Sequence, residues 1–129
     1  LSIADRDKAE SVSLIRDLQQ AGSTLYATEG TAAMIQALGM PVTMITKKLR
    51  EGHPNVVDVI NQGLVKAVVN TVSEVTSALR DGFNIRRAAV ELRIPCFTSL
   101  DTARAAVESA LMEPASYSVK RIDEYFKGP

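Results

Sequence analysis

The sequence has few of the residues that cross-link small proteins or bind metals in them. Its 129 residues include one cysteine, Cys96, one histidine, His53, and no tryptophan. A single cysteine excludes a disulfide within the chain and a cysteine-rich zinc site, and it fits a reducing compartment. We therefore expect a cytoplasmic protein. His53 has no cysteine, histidine or carboxylate at a metal-binding spacing, so we expect no metal site.

An excess of one charge and a long apolar run are also missing. The chain has 15 Lys and Arg residues against 15 Asp and Glu residues, which gives no sign of the basic surface that nucleic acid or an anionic membrane requires. Apolar stretches are only a few residues long, whereas a membrane-spanning helix needs roughly 20 residues. We expect neither a nucleic acid nor a membrane as partner, so any anion site must be local.

What is present describes one ordinary domain. The chain is 46% apolar and 23% charged, which is typical of a globular domain with a single core. The first residue is Leu1 rather than Met. We therefore expect residues 1–129 to be one domain of a longer chain.

Short apolar segments of strand type alternate with segments of helical period. The predicted strands are residues 1–4, 24–27, 42–45, 66–70 and 95–97. The predicted helices begin at a capping box of Asp7 and Glu10, at Thr31, at Asn55 and at Asp101, with further helical signals over 75–79, 84–92 and 118–126. This alternation predicts an α/β domain with a mainly parallel sheet of about five strands and helices on both faces.

The segment from Thr28 to Thr31 follows a predicted strand and opens a predicted helix. The first N–H groups of a helix lack helical partners, Gly30 permits close approach to the backbone, and the hydroxyls of Thr28 and Thr31 are further donors. The segment therefore suits a phosphate group. The alternative is that Thr28 only caps the helix.

Further polar residues are predicted at the same edge of the sheet. Asn70, Thr71 and Ser73 follow the most apolar strand, and ligands of open α/β sheets collect at the carboxyl ends of strands. Lys8 near a helix N-terminus opposes the macrodipole, which is unfavourable unless an anion is near. Lys47 leaves the third strand at this edge. Local turn hydrogen bonds and solvated lysines are the ordinary alternatives.

Residues 46–54 form an aperiodic loop, which we interpret as a candidate lid because loops this long in compact domains are often functional. Arg86 and Arg87 are adjacent on a helix and diverge by about 100°, so at most one of them faces a given ligand. Asp58 and Asp81 stand isolated, and Ser73 has no nearby histidine, so no catalytic set is predicted.

Several motifs together resemble one known family. They are Ser2-Ile3-Ala4-Asp5-Arg6-Asp7-Lys8, Ala27-Thr28-Glu29-Gly30-Thr31-Ala32, Lys47, Glu51-Gly52-His53-Pro54-Asn55, Val69-Asn70-Thr71, Asp81-Gly82 and Ile85-Arg86-Arg87-Ala88-Ala89. In order and spacing they resemble the methylglyoxal-synthase-like (MGS-like) domain at the end of the large subunit of carbamoyl phosphate synthase. The resemblance implies a Rossmann-like three-layer domain that binds an allosteric nucleotide such as UMP or IMP. It places Lys8, Thr28, Gly30, Thr31, Lys47, Asn70, Thr71 and Ser73 around this effector.

The resemblance also implies where the chemistry occurs. The parent enzyme would be a glutamine-hydrolysing ligase that uses ATP with Mg or Mn, works with a small glutaminase subunit, and supplies pyrimidine and arginine biosynthesis. Its synthetase domains, on the same chain, would be partners of this domain. The domain itself would hold no cofactor and no catalytic residue.

Three alternatives remain open. Methylglyoxal synthase, a lyase of this fold, has catalytic carboxylates where this chain has residues 51–55 and Asn70-Thr71. The IMP cyclohydrolase domain shares the Thr-x-Gly-Thr turn, but His53-Pro54-Asn55 matches its Lys-Thr-Leu-His-Pro-Lys segment only in passing. The third alternative is a docking module that binds no ligand.

Overall fold

The computed structural model describes residues 1–47, 52–72, 76–112 and 118–126, with the backbone alone for 76–79. In these ranges a 3-10 turn at Asp5–Asp7 is followed by alternating helices and short strands. The helices are α1 Lys8–Gln20, α2 Glu29–Ala37, α3 Val56–Asn61, α4 Thr76–Glu91, α5 Leu100–Leu111 and α6 Ile122–Tyr125; the strands are β1 Tyr26–Thr28, β2 Thr43–Ile45, β3 Val68–Val69 and β4 Cys96–Phe97.

Residues 1–3, which we call the first segment, join two pairs of parallel strands. β1 pairs with β2, and β3 pairs with β4. The backbone of Leu1 makes hydrogen bonds of 2.7 and 3.1 Å to the two ends of β1. The backbone of Ser2 makes bonds of 2.9 and 3.1 Å to Val69 and Thr71. The spatial order is therefore β2, β1, first segment, β3, β4, which confirms the predicted α/β class and its parallel sheet.

Helices cover both faces of this sheet. Successive strand residues alternate between two buried clusters, as the period of a strand requires. Tyr26, Val68 and Cys96 pack with α3 and α4 on one face, whereas Ala27 and Val69 pack with α1, α2 and α5 on the other. The domain thus has three layers. No helix within the described ranges is long and apolar enough to cross a membrane.

Three predicted helix starts differ in detail from the structure. Helix α2 begins at Glu29, two residues before the predicted Thr31. Asp7 stands at the N-cap position of α1, but its side chain makes no capping bond, and a 3-10 turn precedes the helix. Helix α5 begins one residue before Asp101, and its cap is Ser99, whose hydroxyl accepts from the Thr102 N–H at 3.3 Å. The expected cap at Asn55 is confirmed: its side chain accepts from the Asp58 N–H at 2.9 Å.

Two predicted helix lengths also change. The helical signals over 75–79 and 84–92 belong to one helix, α4. Gly82 lies inside this helix, at a position where a Cβ would stand 2.8 Å from the guanidinium of Arg86. The tail helix is shorter than predicted and spans only Ile122–Tyr125.

Candidate functional site

The predicted site residues gather at the carboxyl ends of the strands, which we call the carboxyl edge. The chain runs outward from the first segment through β1 to β2, then crosses to β3 on the other side. The first segment and β3 therefore flank a topological switch point, the place where open α/β sheets bind ligands. Ala4 leaves the first segment here, and Asn70 and Thr71 leave β3.

Lys8 links the first helix to the turn that follows β1. Its Nζ lies where a Cβ on Gly30 would be 2.8 Å away, so any side chain at residue 30 would have to displace the ammonium. The Lys8 Nζ also lies 2.5 Å from Oδ1 of Asp5. The hydrogen bond and positive charge of Lys8 lower the pKa of Asp5. Asp5 is thus an internal partner for the cation whose position the sequence left unexplained.

Thr28 occupies the N-cap position of α2 but does not cap the helix with its side chain. Its hydroxyl accepts no bond from the first N–H groups of α2, all of which lie in the described part of the chain. The hydroxyl instead lies 3.4 Å from Oγ of Ser2. The capping interpretation of Thr28 is therefore wrong, and the start of α2 lacks a side-chain cap from this residue.

Thr31 and Thr71 hold the first segment in place. The Thr31 hydroxyl accepts from the Ile3 N–H at 3.0 Å, and the Thr71 hydroxyl accepts from the Ala4 N–H at 2.7 Å. Both threonines are buried, with 1% and 5% exposure. Each hydroxyl retains its own O–H to donate. Their structural role is therefore established by geometry, and their role toward a ligand stays a prediction.

Asn70 is held in place by Arg86, a residue of helix α4. Nη1 of Arg86 donates to its Oδ1 at 2.8 Å, and Gly82 leaves room for this contact, since a Cβ there would lie 3.2 Å from the same oxygen. The Asn70 amide NH₂ faces the first segment, 3.5 Å from the Ser2 carbonyl. Arg87 turns away and pairs with Glu91 at 2.8 Å on the surface. Of the two arginines, only Arg86 reaches the carboxyl edge.

The predicted lid begins and ends at one point. The Thr46 N–H donates to the Pro54 carbonyl at 3.3 Å, and the Val56 N–H donates to the Thr46 carbonyl at 3.0 Å. The N–H of Lys47 lies 3.4 Å from Oε2 of Glu29, which places Lys47 beside the start of α2. Residues 48–51 and Ser73 lie outside the described residues.

His53 and Asp58 form a pair that the sequence analysis missed. The His53 Nδ1 lies 2.5 Å from Oδ2 of Asp58. The same carboxylate accepts from the Asn55 N–H at 3.0 Å, and this bond, followed by the bond with His53, lowers the pKa of Asp58. The sequence signal for this pair is the capping spacing of Asn55 and Asp58. A capping box brings the Asp58 carboxylate back to Asn55, close to the segment that contains His53. No cluster of three potential metal ligands occurs among the described residues.

Comparison with known proteins identifies the family. Residues 10–98 match the family model of the MGS-like domain. The carbamoyl phosphate synthase large chain of Thermomicrobium roseum is 47% identical over 125 residues, which are 97% of this chain and 12% of that protein. The C-terminal section of the carbamoyl phosphate synthase large chain of Methanopyrus kandleri is 40% identical over 129 residues, or 99% of this chain and 24% of that protein. The chain thus spans under a quarter of these relatives, and it belongs to the family of MGS-like domains.

Proposed function

We propose that this chain is the regulatory domain of a carbamoyl phosphate synthase large chain. In this proposal it binds a phosphorylated nucleotide of the UMP or IMP type at the carboxyl edge. The relatives that match it over nearly its whole length bear the name of that enzyme. The groups at the carboxyl edge support a phosphate ligand, and the UMP or IMP type follows from the resemblance to the carbamoyl phosphate synthase domain.

The observation that supports a phosphate ligand best is the position of Lys8. Its ammonium lies against Gly30, in the first turn of the nine-residue helix α2. A helix N-terminus directs unpaired N–H groups outward and favours negative charge. A cation beside these donors gives the charge and hydrogen bonds that a phosphate group requires.

Other groups at the carboxyl edge fit the rest of a nucleotide. The backbone N–H of Lys47 lies 3.4 Å from a carboxylate oxygen of Glu29 in the first turn of α2, and in this proposal the Lys47 side chain supplies a second cation. Asn70 is 1% exposed, Arg86 donates to its amide oxygen, and its NH₂ lies 3.5 Å from the Ser2 carbonyl. An amide NH₂ has two N–H donors, and in this proposal the second one donates to a ribose hydroxyl or a phosphate oxygen. The switch point between the first segment and β3 is where such a ligand is expected.

We also propose that the domain regulates without catalysing a reaction. At the segment where the related lyase has a catalytic carboxylate, this chain has His53, and its partner Asp58 is already engaged in capping α3. ATP, its metal ion and the glutaminase subunit would then contact the remaining length of the large chain. The synthetase domains of that chain would receive the regulatory signal.

Replacing Lys8 by Ala tests the site. Loss of one charge-assisted contact should weaken UMP and IMP binding by about 1.5–3 kcal/mol, or roughly ten- to a hundredfold. Titration calorimetry with the 129-residue chain, which has its own buried core, measures both affinities.

The matched control is Lys66→Ala. Lys66 is exposed and precedes β3, so it lies at the opposite edge of the sheet and its loss should leave both affinities unchanged. Equal binding by wild type and Lys8→Ala would show that the phosphate does not bind at this position. No binding of either nucleotide by wild type would refute the proposed ligand class.

A further inference from the structure

We infer that Asp5 determines the selectivity of this site: its carboxylate competes with the effector's phosphate for Lys8 and disfavours ligands of higher negative charge. The inference rests on the proposed function, because it concerns the same cation and the same ligand. It adds a residue whose effect is to weaken binding.

Asp5 lies at the switch point itself. It begins the 3-10 turn that follows the first segment, and its carboxylate meets the Lys8 ammonium at 2.5 Å. The two side chains differ in exposure: that of Asp5 is 93% exposed, whereas that of Lys8 is 25% exposed and lies against Gly30. The carboxylate is therefore the partner that can turn into solvent. The ammonium stays at the start of α2.

A phosphate should replace this carboxylate at Lys8. Exposed ion pairs contribute little to stability, because water and side-chain entropy offset their attraction. A phosphate monoester has a charge of about −1.5 to −2 at pH 7, and it gains the N–H groups of α2 as well. Displacement of the Asp5 carboxylate by the phosphate is therefore favourable overall. Breaking the Asp5–Lys8 pair offsets part of the attraction between the phosphate and Lys8.

The displaced carboxylate still acts on the ligand. Tethered to the turn, Asp5 remains within a few ångströms of the phosphate, inside the range of about 10 Å that 0.1 M salt leaves unscreened. Coulomb repulsion scales with the ligand's charge. A diphosphate is therefore penalised more than a monophosphate, and Asp5 shifts the preference toward the monophosphate.

The chain offers a matched control for this effect. Asp7 belongs to the same 3-10 turn and precedes the same helix, but its Oδ1 lies 3.8 Å from Nε of Arg6, and the ion pair of Lys8 in the described part of the chain is with Asp5. Asp5→Asn and Asp7→Asn change the net charge equally. Only Asp5→Asn releases Lys8.

The experiment compares UMP and UDP binding by wild type, Asp5→Asn and Asp7→Asn, using calorimetry at one pH and low salt. Asp5→Asn should bind UMP roughly two- to fivefold more tightly, as expected for removal of an exposed ion pair. Its affinity for UDP should rise by a larger factor, so the UMP-to-UDP preference falls. Asp7→Asn should change both affinities less and leave their ratio unaltered. Thermal unfolding verifies that each variant is folded.

Two outcomes distinguish a failure of this inference from a failure of the proposed function. If wild type binds UMP and Lys8→Ala weakens that binding, but Asp5→Asn equals Asp7→Asn, then Asp5 has no selective role while the effector site stands. If neither wild type nor Asp5→Asn binds UMP, UDP or IMP, both the site and the inference are wrong.

Discussion

At the scale of single residues, the threonines of the carboxyl edge show what a local pattern can reveal. The sequence predicts Thr28, Thr31 and Thr71 at one site because they follow strands, and all three do lie at one edge of the sheet. Their partners could not be predicted, since the hydroxyls of Thr31 and Thr71 bond backbone groups 28 and 67 residues away. Contacts over such distances depend on strand order, which no local spacing encodes.

Thr31→Val should therefore destabilise the fold as well as alter the site. The substitution keeps the shape of the side chain but leaves the buried Ile3 N–H without its acceptor. Such a loss costs about 1–3 kcal/mol. Urea unfolding of the unliganded protein measures this change.

Thr31→Ser is the control, because it retains the hydroxyl and should keep most of the stability. If Thr31→Val unfolds at the same urea concentration as wild type, the bond to Ile3 contributes nothing and the hydroxyl is available for a ligand alone.

The two arginines and the His53–Asp58 pair show a different limit at this scale. Helical geometry correctly required Arg86 and Arg87 to diverge. Which one would turn inward depended on space beside Gly82, and the sequence does not display that space. Asp58 stands isolated in the sequence because no helical or metal-binding spacing joins it to His53. The chain reversal at the Asn55 cap brings the two together.

At the scale of elements, the sequence predicts best where one stretch contains both partners. Helix α3 is such a case, because Asn55 and Asp58 cap its start reciprocally over three residues. Helix α1 is the opposite case. Its predicted cap at Asp7 yields to a 3-10 turn, and the preceding Ala4 N–H is held by the distant Thr71. Tertiary contacts override local capping signals at the switch point.

The capping box of α3 should make stability depend on acidity. Hydrogen bonds from Asn55 and His53 favour the charged carboxylate and hold the pKa of Asp58 below its ordinary value of 3.8. A group with a lowered pKa in the folded state stabilises the protein above its unfolded pKa, and this contribution is lost as the pH falls through the folded pKa. Wild type should therefore lose stability as the pH falls below about 4.

Asp58→Asn provides the comparison. Asparagine still accepts from the Asn55 N–H but cannot ionise, so the variant should be less stable at pH 6 and lose less on acidification. Denaturant unfolding from pH 6 to pH 3 measures both slopes. Parallel slopes for the two proteins would show that the cap contributes no pH dependence.

At the scale of the whole molecule, the class of fold was predictable and the order of strands was not. Alternating strand and helix patterns require parallel strands with crossovers, and this requirement alone predicts an α/β sheet. The placement of the first segment between β1 and β3 depends on backbone pairing between distant stretches. That placement creates the switch point and brings Lys8, Asp5 and Asn70 to one end of the sheet.

In the proposed function, the candidate lid would relate the site to the neighbouring domains of the large chain. Its ends are joined at Thr46 and Pro54, and Lys47 stands beside the start of α2. A phosphate bound there would contact Lys47 and restrain the loop from one end. A change of order in this loop would alter the surface offered to neighbouring domains. The two states would then differ in one contact with the ligand, as allosteric coupling requires.

Hydrogen exchange of residues 46–53 should therefore slow when UMP or IMP is present at saturation, because Lys47 would then bind a phosphate in place of water. Lys47→Ala should weaken nucleotide binding roughly ten- to a hundredfold. At nucleotide concentrations that still saturate the variant, protection of the loop should remain low. Lys66→Ala, at the opposite edge of the sheet, serves as the control and should behave as wild type.

If exchange in the loop is the same with and without bound nucleotide, the lid does not transmit the signal. Helix α4 is then the next route to examine, because Arg86 joins it directly to Asn70 at the carboxyl edge.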